Sequence, residues 1–130
     1  MPAEPRFLEV IRMAVVISMR DSGCDAGCLR DLRLAADELG AVLIASARPG
    51  TDLRLEVVDD GTDAYVRMAV PLPSTGSPSG STDLALLLLD ATVDSYDIRS
   101  DGDELLGVLQ RALDSEAAEA GSRRITDRRG

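Results

Sequence analysis

At 130 residues and 45% hydrophobic content, the chain has the length of one domain and the material for a sizeable core. A net charge of −9 excludes a general nucleic-acid binder, which needs a basic face. All 14 basic residues are Arg, so no lysine is on hand for Schiff-base or phosphate chemistry, and with no His and only Cys24 and Cys28 a metal centre lacks ligands.

Glu4 to Arg20 reads as a first helix. Phe7, Leu8, Val10, Ile11, Ala14, Val15 and Ile17 wrap most of it, and Glu9, Arg12, Val16 and Arg20 share the remaining face. Glu9 and Arg12 break the early apolar run, so it fits neither a secretory signal nor a bilayer span, and a cytoplasmic protein is expected. Asp21 to Gly27 is a loop with Ser22, Gly23 and Gly27 as turn residues. Cys24 and Cys28 read as ordinary cytosolic thiols, with a redox or disulfide role as the alternative.

Cys28 to Ala47 forms the central helix. Leu29, Leu32, Ala35, Ala36, Leu39, Val42, Leu43 and Ser46 recur at helical spacing and give one continuous apolar or small face. The second face carries Leu34, Glu38, Ala41 and Ala45, so it is only half polar, and burial on more than one side is expected. Glu38 is its lone acid, either exposed in a shallow groove or held there for a purpose. Arg48-Pro49-Gly50 ends the helix.

Two strands follow. Asp52 to Val58 alternates Leu53, Leu55 and Val57 against Arg54 and Glu56. Ala64 to Val70 alternates Val66, Met68 and Val70 against Tyr65, Arg67 and Ala69. Asp59-Asp60-Gly61-Thr62-Asp63 is the hairpin turn between them, and the pair should be antiparallel and half-buried. Pro71 to Thr82 is a low-complexity stretch that reads as a linker or lid. Ser81 or Thr82 then caps a helix to about Ala91, with Leu84, Leu87, Leu88 and Ala91 as its expected core stripe. Ser95 to Arg99 is a short strand, and Asp101-Gly102-Asp103 a turn. Glu104 to Leu113 fits a helix by spacing and a closing hairpin strand by context. Helices beside hairpin-linked strands predict an α+β two-layer sandwich, with a mixed or antiparallel sheet packed on helices. The domain spans residues 1–114. Residues 115–130, with Arg123, Arg124, Arg128 and Arg129, form a solvated tail.

The run Asp31-Leu32-Arg33-Leu34-Ala35-Ala36-Asp37-Glu38, with its apolar second half and Arg48-Pro49-Gly50, resembles the RsbW-type anti-sigma factors. These belong to the histidine-kinase-like (GHKL, Bergerat-fold) ATPases. The likeness is to divergent actinobacterial members, and it covers roughly Phe7 to Arg99. It implies a homodimer that regulates transcription by binding a sigma factor or an anti-anti-sigma protein. The family opens with a strand before its first helix. Here that strand is missing, so the sheet loses an edge, a partner supplies one, or the start codon is misplaced.

The resemblance also implies where a nucleotide would sit. Glu38 matches the family's general base. Val42 stands where the family has the Asn that holds Mg²⁺, and valine offers that ion no oxygen. Pro71 begins the stretch that replaces the family's adenine-reading Asp motif, and Gly76 and Gly80 echo its glycine-rich lid. With two of three nucleotide determinants gone, the expectation is a partner-binding regulator that does little with ATP or Mg²⁺. The alternatives are an active serine/threonine kinase acting on an anti-anti-sigma factor, and a structural or nucleotide-sensing scaffold.

Overall fold

A computed structural model describes residues 1–72 and 83–113. The first helix is shorter than its sequence suggests. A 3-10 turn at Pro5–Phe7 leads into α1, Leu8–Ser18, because Pro5 presets the dihedral of a first turn without a donor to lose. The helix closes at Met19, whose amide reaches back to the Val15 carbonyl at 3.0 Å. Gly23, at a φ of 87°, then turns the chain.

Helix α2, Ala26–Ser46, is capped by Asp25, whose carboxylate accepts from the Cys28 amide at 2.8 Å. It lies between the other two helices, packing on α1 at one flank and on α3, Asp83–Thr92, at the other. Its expected core face holds: Leu32, Ala35, Ala36, Leu39, Val42, Leu43 and Ser46 are buried, and Leu29 is half-buried. Burying a leucine such as Leu32, Leu39 or Leu43 contributes roughly 1.5–3 kcal/mol each.

The sheet has four strands in the order β1-β2-β4-β3, all neighbours antiparallel. Strands β1, Arg54–Asp59, and β2, Asp63–Pro71, form the first hairpin. Its turn is closed by Asp60, whose carboxylate accepts from the amides of Thr62 at 2.9 Å and Asp63 at 2.8 Å. Strands β3, Ser95–Asp101, and β4, Glu104–Ala112, form the second, turning at Gly102 with a φ of 63°. Residues 104–112 are therefore a strand. Leu105, Gly107 and Leu109 share one face by alternation, and that face meets the helices.

The register sorts the side chains by layer. Val66 lies opposite Leu109 and Val70 opposite Leu105, beneath the helices. Arg67, Ala69, Leu106 and Val108 lie on the other face, which none of the described helices covers. Gly107 lies opposite Met68 and Ile98 on the helix side. A Cβ there would stand 2.6 Å from Leu39 Cδ1, so the glycine lets α2 approach the sheet.

Two expectations need correction. The core stripe of α3 is Ala85, Leu89 and Thr92, while Leu84, Leu87 and Ala91 are exposed and Leu88 is half-buried. The helix is apolar on nearly every side, so spacing alone offered two stripes, and the packing against α2 uses the other. On α1, only Ile11 and Val15 are fully buried, and Val10 and Ile17 face solvent, because this helix lies at the edge of its layer. No regular strand precedes α1 among the described residues. The N-terminus makes a single antiparallel bridge between Pro2 and Asp52, beside the amide of Leu53 donating to the Met1 carbonyl at 2.7 Å.

Candidate functional site

Glu38 and Val42 lie one turn apart on α2, on the flank away from α1's Arg12 contact. Glu38 is half-buried, and its carboxylate has no hydrogen-bond or ion-pair partner among the described residues. Val42 is 1% exposed, so its side chain is part of the packing and not of an opening. The Ser46 hydroxyl donates to the Val42 carbonyl at 2.9 Å, which occupies that oxygen. Pro71 ends β2 opposite Glu104, in register with Arg67 and Ala69 on the sheet face away from the helices. The structure therefore keeps Glu38 and Val42 together and places Pro71 elsewhere. Gly76, Gly80 and the rest of 73–82 lie outside the described residues, as do the cap at Ser81 or Thr82 and the tail 115–130.

These donors do not fit Mg²⁺ with a nucleotide. A magnesium ion needs an octahedron of oxygens, and Val42 and Pro71 provide no side-chain oxygen. Among the described residues no group of three His, Cys, Asp or Glu side chains is placed to hold a metal ion.

Two concavities open elsewhere. A groove of about 230 Å³ runs between α1 and α2, lined by Arg12, Arg30, Arg33, Leu34 and Asp37. Arg12 pairs with Asp37 at 2.7 Å and fixes the two helices across it. A shallow trough of about 940 Å³ covers the uncovered face of the sheet. Most of its charges are matched in ion pairs, Arg54 with Glu104, Arg67 with Glu56 at 3.5 Å and Arg99 with Asp97, and Asp101 stands in the lining as an additional acid. Glu104 bonds directly to the Arg54 guanidinium and pushes its pKa further up, which keeps that guanidinium charged. A trough whose charges cancel but for one acid has little pull on an anionic ligand such as a nucleotide.

Beside the N-terminus of α2, Cys28 is buried and donates through Sγ to the Ala112 carbonyl at 3.7 Å. Cys24 is half-buried, and burial first, then the neighbouring Cys28 thiol, push its pKa up to about 12. Both are free thiols, and the raised value makes Cys24 a poor nucleophile. Arg111 anchors the same corner, donating to Asp31 at 3.0 Å in a pair that is largely shielded from solvent.

The feature that spacing did not single out is the outer side of the helix layer. Val10, Met13 and Ile17 on α1, Leu34 on α2, and Leu84 and Leu87 on α3 are all between 45% and 67% exposed. Among the described residues the sheet adds only Val58 to that set of large exposed apolar side chains. The signal was present in the half-apolar second face of α2, where Leu34, Ala41 and Ala45 prove exposed and not buried. No helix among the described residues is long and apolar enough to cross a membrane. No protein-family model matches this chain, and no curated protein matches it either.

Proposed function

We propose that this chain is a protein-binding regulator of the anti-sigma type, which holds a sigma factor or an anti-anti-sigma protein through the outer side of its helix layer. The observation that carries the reading is the apolar surface on all three helices, against a sheet face whose charges are mostly paired. The resemblance of Asp31 to Glu38 to the RsbW-type helix supplies the class of partner. A cytoplasmic homodimer belongs to the same reading. Catalysis does not, because Val42 and Pro71 leave a metal and an adenine without their side-chain donors.

The test is affinity purification of the tagged full chain from its native cells, with partners identified by mass spectrometry. Recovery of a sigma factor or an anti-anti-sigma protein is the expected result, and repeated recovery of neither refutes the reading. Calorimetry with Mg-ATP is the companion measurement. Binding that disappears in Glu38→Ala would transfer the weight to an active kinase.

A further inference from the structure

We propose that the outward face of α3 is a docking site for a basic amphipathic helix of another protein. The inference rests on the reading of the chain as a protein binder and specifies one surface and its chemistry.

Leu84 and Leu87 are 67% and 64% exposed, and with half-buried Leu88 and exposed Ala91 they recur at the spacing of one helical stripe. The opposite side of the same helix is anchored by Ala85, Leu89 and Thr92, so the stripe cannot turn inward without losing that anchor. Its length is that of about two helical turns, which suits a helix crossing or lying along it.

The charges on this helix and directly after it are all of one sign. Asp83 begins the helix, Asp90 lies in its last turn, and Asp94 follows. The last turn holds no base, so the negative end of the helix dipole is left beside Asp90. An occupant that brings positive charge to this end corrects an arrangement that is unfavourable in isolation.

The same facts exclude other occupants. Residues 73–82 consist of Pro, Ser, Thr and Gly and have no large apolar side chain for the stripe. Residues 114–130 hold four arginines but only Ile125 as a large apolar residue. A second copy laid α3 to α3, parallel or antiparallel, sets acid against acid at both ends. What remains is a foreign helix with apolar residues at i, i+3, i+4 and i+7 and Lys or Arg at its flanks.

The experiment uses the full chain and two fluorescein-labelled peptides of about 14 residues, with Leu on one helical stripe and either Lys or Glu elsewhere, read by anisotropy. The Lys peptide should bind saturably and the Glu peptide should not. L84Q together with L87Q, both at exposed positions, should weaken the Lys peptide at least about tenfold with the thermal midpoint retained. D90N should weaken it less and flatten its salt dependence, while L34Q on α2 should leave it unchanged. Binding untouched by the leucine changes overturns the proposal, because bulk charge then explains it. So does a dimer in sedimentation that those changes dissolve, or binding that begins only after residues 114–130 are deleted. Recovery of a partner from cells with no peptide binding removes this surface and leaves the proposed function standing. Peptide binding with no sigma-type partner does the reverse.

Discussion

Replacing Gly107 by alanine should destabilise the protein, and the structure sets the size of the effect. The added Cβ would stand 2.6 Å from Leu39 Cδ1, 3.1 Å from its Cγ and 3.2 Å from its Cδ2. Leu39 is fully buried in the middle of α2, so it has no solvent to swing into. Either its rotamer is forced or α2 lifts from the sheet, and overpacking of this kind costs about 1–3 kcal/mol. Alanine returns roughly 0.5–1 kcal/mol by restricting the backbone. An approach as close as 2.6 Å puts the cost in the upper part of that range, so the net loss is about 1–2 kcal/mol, which lowers the thermal midpoint by roughly 3–10 °C. Urea unfolding followed by circular dichroism measures it. The sharper check is a double-mutant cycle. Leu39→Ala alone should cost about 2–5 kcal/mol. In the Gly107→Ala background it should cost clearly less, because the truncation vacates the space that the new methyl needs. Equal costs in the two backgrounds, or a Gly107→Ala protein as stable as the parent, would refute the close approach of α2 to β4.

Three further outcomes follow from the geometry. Cys24, with its pKa pushed up to about 12 from an ordinary 9.0, should alkylate with iodoacetamide at pH 8 at least about tenfold more slowly than a free thiol, as mass spectrometry of the tryptic peptide would read. Because that pKa is raised on folding, its contribution to stability is complete below pH 9 and is lost as pH rises from 9 towards 12, and Cys24→Ser should flatten that alkaline limb. Asp25→Ala removes the cap that the Cys28 amide donates to, and should cost about 1 kcal/mol in urea unfolding, whereas Asp25→Ser should restore most of it. The amides of Asp63, then Thr62, hold the Asp60 carboxyl below its ordinary 3.8, so its contribution is present above that pH and lost as pH falls through the lowered value. An NMR titration of Asp60 that gives an unshifted value contradicts the turn geometry.

Much of the architecture was legible because it rests on local chemistry. Asp60 and Gly61 fix a hairpin wherever they stand between alternating strands. Leu32, Leu39 and Leu43 recur at helical spacing, and no arrangement of the chain could leave that whole face in water. Glu104 to Leu113 was ambiguous because Leu105, Leu109 and Leu113 satisfy both periods. The partner strands β2 and β3 on either side decided it, and that pairing is not local. Gly107 was not singled out for the same reason, since its meaning depends on Leu39, far away in sequence. The candidate site was legible only as residue types. Sequence showed that Val42 and Pro71 lack oxygen donors, but not that Pro71 falls in register with the sheet face opposite Glu38's helix.

The outward leucines of α3 carry the proposed function. A two-layer domain buries one side of each helix, so a helix that is apolar all round holds more apolar surface than its own fold can use. This chain does not lack polar residues for covering such surface. On the uncovered face of the sheet it sets Arg54 against Glu104, Arg67 against Glu56 and Arg99 against Asp97, with Leu106 and Val108 half-buried among them. The same chain leaves Leu84 and Leu87 outward, with acids at both ends of their helix. One outer surface carries mostly paired charges, and the other is open and apolar, on a helix whose own charges are all negative. On the proposed reading recognition falls on the helix layer, and a partner that engages it must bring both apolar surface and positive charge.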